Sequence, residues 1–219
     1  YTTLFRSANR DVLDFYGLSL DSDINTYRLI TSNFSSLPEL TESLGKIRAF
    51  GTSLLARNES ISEADSVRME SLISNGSYNL NLFAQDSEKL FLSDNTFKQK
   101  FSANADAAVE EAKSALKTAE AIFINRSMTN QNPKDYAALF THAINKFSDY
   151  AIAGGNELNE MLNGQIKEHR YAQYALLTVL VFIVLLAVIF ALIIIRSVTK
   201  PISAASKLAL EVAGGDLTS

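Results

Sequence analysis

Twenty-two consecutive residues, 174–195, read YALLTVLVFIVLLAVIFALIII and carry no charge. Wound as an α-helix they measure about 33 Å, enough to cross the roughly 30 Å hydrocarbon core of a bilayer. A helix buried in a soluble core normally keeps a polar stripe, whereas this one offers only Thr178. The stretch reads as a transmembrane helix, and it divides the chain. Residues 1–172 form an extracytoplasmic region, 173–196 the membrane helix and 197–219 a segment on the other side.

Orientation follows from the tendency of cations to stay on the cytoplasmic side. Arg196, Lys200 and Lys207 follow the span closely, while Lys167 and Arg170 before it are diluted by Glu157, Glu160 and Glu168. The bias is slight and favours a cytoplasmic C-terminus. Tyr171 and Tyr174 then fall at the outer interface. The start at Tyr1 and the stop shortly after Asp216 and Leu217 both read as cut ends, so a longer protein is expected.

Before the span, apolar and small residues recur at helical steps. Leu37, Leu40, Leu44, Ile47, Gly51 and Leu54 alternate steps of three and four. The same alternation runs through Met69, Ile73, Gly76, Leu80, Phe83, Ser87 and Leu90, and through Ala105, Ala108, Ala112, Ala115, Ala119 and Ile122. Tyr136, Phe140, Ala143, Phe147 and Tyr150 continue it, and Phe5, Ala8, Val12 and Phe15 begin it. Such seams belong to helices packed nearly parallel in a bundle. No period-two stretch competes, so the expected fold is all-α, an elongated antiparallel helical bundle continuing into the membrane helix.

Helix starts are marked by capping residues. Ser36 with Glu39, and Pro38 between them, form a capping box, and Ser62 with Asp65 stand in the same relation. Asn132 before Pro133 starts a last helix that runs to about residue 196. Around Asp94 two readings stand. Thr96 with Gln99 starts a new helix, giving one bundle, or a helix of about 100 Å runs from 63 to 128, as in two bundles stacked end to end.

Gly51 and Gly76 occupy seam positions where a large side chain is expected, which fits either close helix approach or a gap for a ligand. Gly154 and Gly155 are candidates for a flexible point or a kink in the last helix.

Composition narrows the chemistry. A net charge of −4 gives no basis for nucleic-acid binding, and the absence of cysteine excludes disulfides and thiolate metal sites. Of the two histidines, His142 lies on a polar helix face and His169 sits just outside the span. No zinc motif, phosphate loop or nucleophile elbow is present, so no enzyme activity, metal or cofactor is expected. Asn33, Asn58, Asn75 and Asn125 head Asn-x-Ser sequences, at a frequency that abundant serine and asparagine explain.

Beyond the span, Pro201 and Ile202 open an amphipathic stretch in which Ile202, Ala205, Ala209 and Val212 step by three, four and three, and Gly215, Asp216 and Leu217 follow. This segment resembles the first half of a HAMP domain, the parallel helical linker inside the membrane of bacterial receptors. Upstream, LSLDSDINTYRLI at 18–30 and LPELTESLGKIRAFGTSLLARN at 37–58 resemble an input region of bacterial methyl-accepting chemotaxis proteins. The matching positions are Leu20, Asp21, Asp23, Tyr27, Leu29, Leu37, Pro38, Gly45, Arg48 and Gly51.

The resemblance implies a chemotaxis receptor in the bacterial cytoplasmic membrane, working as a homodimer. It would sense a small molecule or a binding protein and pass the signal through the last helix to HAMP. A chemotaxis kinase and coupling protein would engage only a cytoplasmic part beyond residue 219. Asp21, Asp23, Tyr27 and Arg48 are the candidate ligand residues, against the alternative that Asp21 or Ser22 caps a helix and Arg48 pairs with Glu39 or Glu42. A sensor histidine kinase or a cyclic-dinucleotide enzyme shares these features, and a single-span tethering protein is the alternative outside signalling.

Overall fold

The structure is a computed structural model that describes residues 11, 13–15, 17, 23–57, 59–128 and 131–213. The described residues contain helices and connecting turns, without a strand. Helix α1 (Ile24–Ile30) leads through a π-helical turn, Thr31–Ser36, into α2 (Leu37–Arg57). Helices α3 (Glu63–Ser93), α4 (Asn95–Phe123) and α5 (Pro133–Ile194) follow. A second π turn, Ile195–Thr199, leads into α6 (Lys200–Ala213). The chain divides into two units, Tyr1–Leu162 and Asn163–Ser219.

The first unit is a four-helix bundle whose core is made of the seams read from the sequence. Every seam residue from Leu37 to Leu54, Met69 to Leu90, Ala105 to Ile122 and Tyr136 to Tyr150 is buried. Neighbouring helices run antiparallel. Arg28 Nη1 donates to the Lys89 carbonyl at 2.7 Å, and farther along the same helix pair Ser43 Oγ lies 3.2 Å from Asn75 Oδ1. Between α1–α2 and α5 the pairs are Ser32 with Tyr150 and Arg48 with Thr141. Aromatic rings fill the centre, where Phe83 meets Phe147 and Tyr150 edge to face at 5.2 Å each. The early seam does not extend into this core at its last member: Phe15 is 82% exposed, and Phe5, Ala8 and Val12 lie outside the described residues.

Helix α3 ends at Ser93, and a new helix starts at once. Asp94 leaves helical geometry (φ −149°, ψ 125°) and its carboxylate accepts the Thr96 amide at 2.7 Å. The break at 94 gives one bundle of matched helices, and the cap is Asp94 rather than Thr96. Ser62 caps α3 as expected, accepting the Asp65 amide.

The capping box at Ser36 is a correction. The chain is helical from Ile24 to Arg57, and Ser36 lies inside it with its hydroxyl turned to Asp86 across the core. The π turn explains how Pro38 is accommodated there. In an α-helix the proline ring would clash with the carbonyl four residues back, and no amide could bond to it. The wider π turn relieves this: Leu37, just before the proline, donates to Ser32 five residues back. Pro201 is handled identically, with Lys200 donating to Ile195. Pro133 opens α5 at its first residue and needs no such device.

In the second unit, the charge-free segment occupies the last part of α5, with Ile195 opening the π turn, and its large apolar side chains are exposed. This helix is long and apolar enough to cross a membrane.

Candidate functional site

The bundle interior is not uniformly apolar. Around the first π turn the core turns polar, with Ser32, Asn33 and Ser36 buried from one helix and Asp86, Ser87 and Tyr150 from its neighbours. A buried polar group without a partner is costly, so each must find one. Ser32 Oγ lies 3.0 Å from the Tyr150 hydroxyl and 3.4 Å from Ser87 Oγ. Asp86 accepts from Ser36 and, at 2.9 Å, from Lys89 Nζ. Asn33 Nδ2 donates to the Ala151 carbonyl at 3.0 Å, while Asn33 Oδ1 is buried with no partner. Burial pushes the Tyr150 phenol up, and the bonds from Ser32 and Ser87 oppose that shift.

Asn33 reaches this position because residue 154 is glycine. A Cβ there would stand 2.9 Å from Asn33 Nδ2 and 3.0 Å from its Cγ. Gly154 is therefore a close-approach position within α5, and Gly155 faces open space. Gly51 and Gly76 resolve in the same way. A Cβ on Gly51 would collide with the Tyr136 ring, and one on Gly76 would lie 2.8 Å from Ile47 Cδ1. Close packing, not a ligand gap, accounts for both.

A second polar cluster lies farther along α2, where Asn79 Nδ2 donates to Ser43 Oγ and to Asn75 Oδ1 at 2.7 Å each. A groove of about 510 Å³ lies on the α3–α4 face, over Phe83, Ser87 and Ala105, with Phe91 and Val109 on its walls and Lys98 and Asp106 at its rim.

The three candidate ligand residues that are described, Asp23, Tyr27 and Arg48, do not converge. Asp23 is the cap of α1, its Oδ1 accepting the amides of Asn25 and Thr26 at 2.9 and 2.8 Å. Tyr27 is 41% exposed on the same short helix. Arg48 lies 25 residues beyond Asp23, roughly 37 Å along the helix, and donates to Thr141 Oγ1 at 2.9 Å, not to Glu39 or Glu42. Asp21 lies outside the described residues, as do Ser22, Gly215, Asp216 and Leu217. Pro201 and Ile202 stand in the first turn of α6, where Ile202 is exposed.

His142 is exposed beside Glu111, with Nε2 3.6 Å from a carboxylate oxygen. No cluster of three metal-ligating side chains occurs among the described residues. Only Ser87, in an apolar seam, hints at the polar layer in the sequence, because Ser36 satisfies a capping pattern and Asn33 a glycosylation pattern. Set against known protein families, curated proteins and solved structures, the chain matches none of them.

Proposed function

We infer that the chain is a single-span membrane receptor, in which a helical sensor bundle on the extracytoplasmic side drives a membrane helix and the segment following it. The observation that carries this reading is the make-up of α5. One helix supplies core residues of the bundle, from Tyr136 to Leu158, and also all of the charge-free segment but its last residue, Ile195. Packed helices switch between discrete arrangements by displacements of about 1–2 Å, and a helix shared between core and bilayer is suited to transmit them. A stimulus shifts the balance only by the difference in its affinity for the two arrangements.

The finer reading, a chemotaxis receptor paired as a homodimer through a HAMP linker, draws its support from the sequence alone. Pro201 and Ile202 with the later Gly215, Asp216 and Leu217 provide it, together with the block around Asp23, Tyr27 and Arg48. Exposed Ile202 and Leu210 on α6 agree with a partner covering that face. Ala187 and Ala191, one turn apart, offer a small-residue contact within the span.

Topology and pairing are tested together. Single cysteines at Ser148 and Ser206 are labelled in intact cells with a membrane-impermeant maleimide. Ser148→Cys is expected to react from outside and Ser206→Cys only after permeabilisation. Cysteines at Ile202 and Val212 are expected to form symmetric cross-links in native membranes. Equal labelling of both sites, or no cross-link at either position, overturns the receptor reading.

A further inference from the structure

We propose that the groove between α3 and α4 binds a small organic cation, an ammonium carried on an extended apolar body. The inference deepens the sensor reading by naming a ligand class and rests on it for its purpose, whereas binding itself needs only the bundle.

The groove has a physical cause. Ala84 and Ser87 from α3 and Ser102 and Ala105 from α4 all line it, and these small side chains leave a hollow of about 510 Å³ where larger ones would fill the helix contact. Its volume lies in the range of small-molecule sites, which in bundles form between helices. Phe83 and Val109 towards one end, and Phe91 towards the other, give it apolar walls. Ser87 in the floor is buried, and its hydroxyl belongs to the polar layer, 3.4 Å from Ser32 Oγ. The lining therefore suits an apolar body better than a sugar or an inorganic ion.

Charge is unevenly spread along the groove. Helices α3 and α4 are joined at Asp94, so height along it follows from the residue count at about 1.5 Å each. Lys98 and Glu88, on opposite helices, lie about 6 and 9 Å from the joint, and their charges offset one another. Asp106 lies about 18 Å from it. The next carboxylate on its helix, Glu110, is held by Lys113 at 2.7 Å. Asp106 itself is exposed and makes no ion pair among the described residues. The far end of the groove thus carries one uncompensated negative charge beside Phe83 and Val109, and the near end is neutral. An ammonium seated at Asp106 has the Ser102 hydroxyl one turn away as a further acceptor. The apolar body then runs towards Phe91 and the alkyl stem of Lys98, a span of about 12 Å. A carboxylate ligand would meet the wrong sign at Asp106 and would find Lys98 already offset by Glu88.

The test uses the full chain in detergent. It has no tryptophan, so Leu92→Trp, at an exposed position lining the groove, supplies a fluorescence reporter there. The probes are 4-phenylbutylamine and 5-phenylpentanoate, which share an apolar body and carry opposite charges. The amine is expected to change the emission saturably, with half-saturation about tenfold below that of the carboxylate. Asp106→Asn in the reporter background is expected to weaken the amine about fivefold, the upper end for an exposed ion pair, and to leave the carboxylate no weaker. Because Asp106 is exposed and unpaired, that variant keeps the fold, which circular dichroism checks. Ala84→Leu fills the hollow without touching a charge and is expected to abolish the saturable response to both probes. A response that does not saturate, that is equal for the two probes, or that survives Asp106→Asn or Ala84→Leu unchanged overturns the proposal. Labelling and cross-linking around the membrane helix test the receptor reading separately. Amine binding by a chain of the wrong topology would remove that reading and leave this one, and the expected topology without amine binding would do the reverse.

Discussion

The Tyr136 hydroxyl donates to the Ile47 carbonyl at 3.2 Å, and it reaches that carbonyl because Gly51, one turn further along α2, has no side chain. The Tyr136 ring lies over the glycine and packs edge to face on Phe123 at 5.5 Å. Burial pushes its phenol well above the ordinary tyrosine range.

Gly51→Ala is therefore expected to destabilise the bundle, although alanine is the better helix former. The propensity gain is up to about 1 kcal/mol, while overpacking a filled core costs typically 1–3 kcal/mol and here also displaces the hydroxyl. A net loss of about 1–2 kcal/mol is expected in urea unfolding of the detergent-solubilised chain. Gly155→Ala is the control. Its Cβ meets nothing within 4 Å, so that variant is expected to be neutral or slightly stabilised.

The Ser36–Asp86 pair predicts strong non-additivity. Asp86→Leu alone leaves the buried Ser36 hydroxyl without its partner and is expected to cost about 1–3 kcal/mol. Ser36→Ala alone removes a donor from a buried carboxylate that keeps Lys89 at 2.9 Å, and is expected to cost less. The double variant is expected to be closer to wild type than the sum of the two. A double-mutant cycle measures the coupling, and simple additivity would show that the two groups do not interact.

Most of the bundle was legible because burial obeys periodicity. The four seams from Leu37 to Tyr150 became buried faces, the alanine seam at 105–119 among them, whereas Phe15 and Ile202, in the seams at either end, are exposed. The π turn was not legible, for a local reason. Ser36, Pro38 and Glu39 meet every requirement of a helix start, and only contacts from Asp86 and Tyr150, far along the chain, turn that segment into helix interior. Asp23 and Arg48 misled differently. Both are polar residues in a recognisable block, yet one is used as a cap and the other as a cross-helix donor, so chemical type alone could not bring them into one site.

The Asp94 cap carries a pH signature. The Thr96 amide, and after it the Thr96 hydroxyl, hold the Asp94 carboxyl below its ordinary value of 3.8. A carboxyl with a lower pKa when folded adds stability above its unfolded pKa, and loses it as pH falls through the folded value. The melting-temperature gap between wild type and Asp94→Ala is thus expected to be full at neutral pH and to narrow below about pH 4. Asp94→Asn keeps an oxygen acceptor without the charge. Its melting temperature is expected to lie above that of Asp94→Ala by an amount that stays constant with pH. A gap for Asp94→Ala that is equally independent of pH would mean that the carboxylate is not the capping group.

A charge placed in the uncharged part of α5 separates a membrane span from an exposed soluble helix. Leu186 lies near the middle of the 174–195 stretch and is exposed, as Gln173 is just before it. At the centre of a bilayer an arginine costs about 3 kcal/mol in insertion, whereas near the interface it snorkels to water at little cost. Leu186→Arg is expected to lower the carbonate-resistant membrane fraction severalfold, while Gln173→Arg leaves it unchanged. In water both arginines would be harmless, and Leu186→Arg would even improve solubility. Retention of both variants at wild-type levels would therefore exclude residues 174–195 as the element that holds the chain in the bilayer.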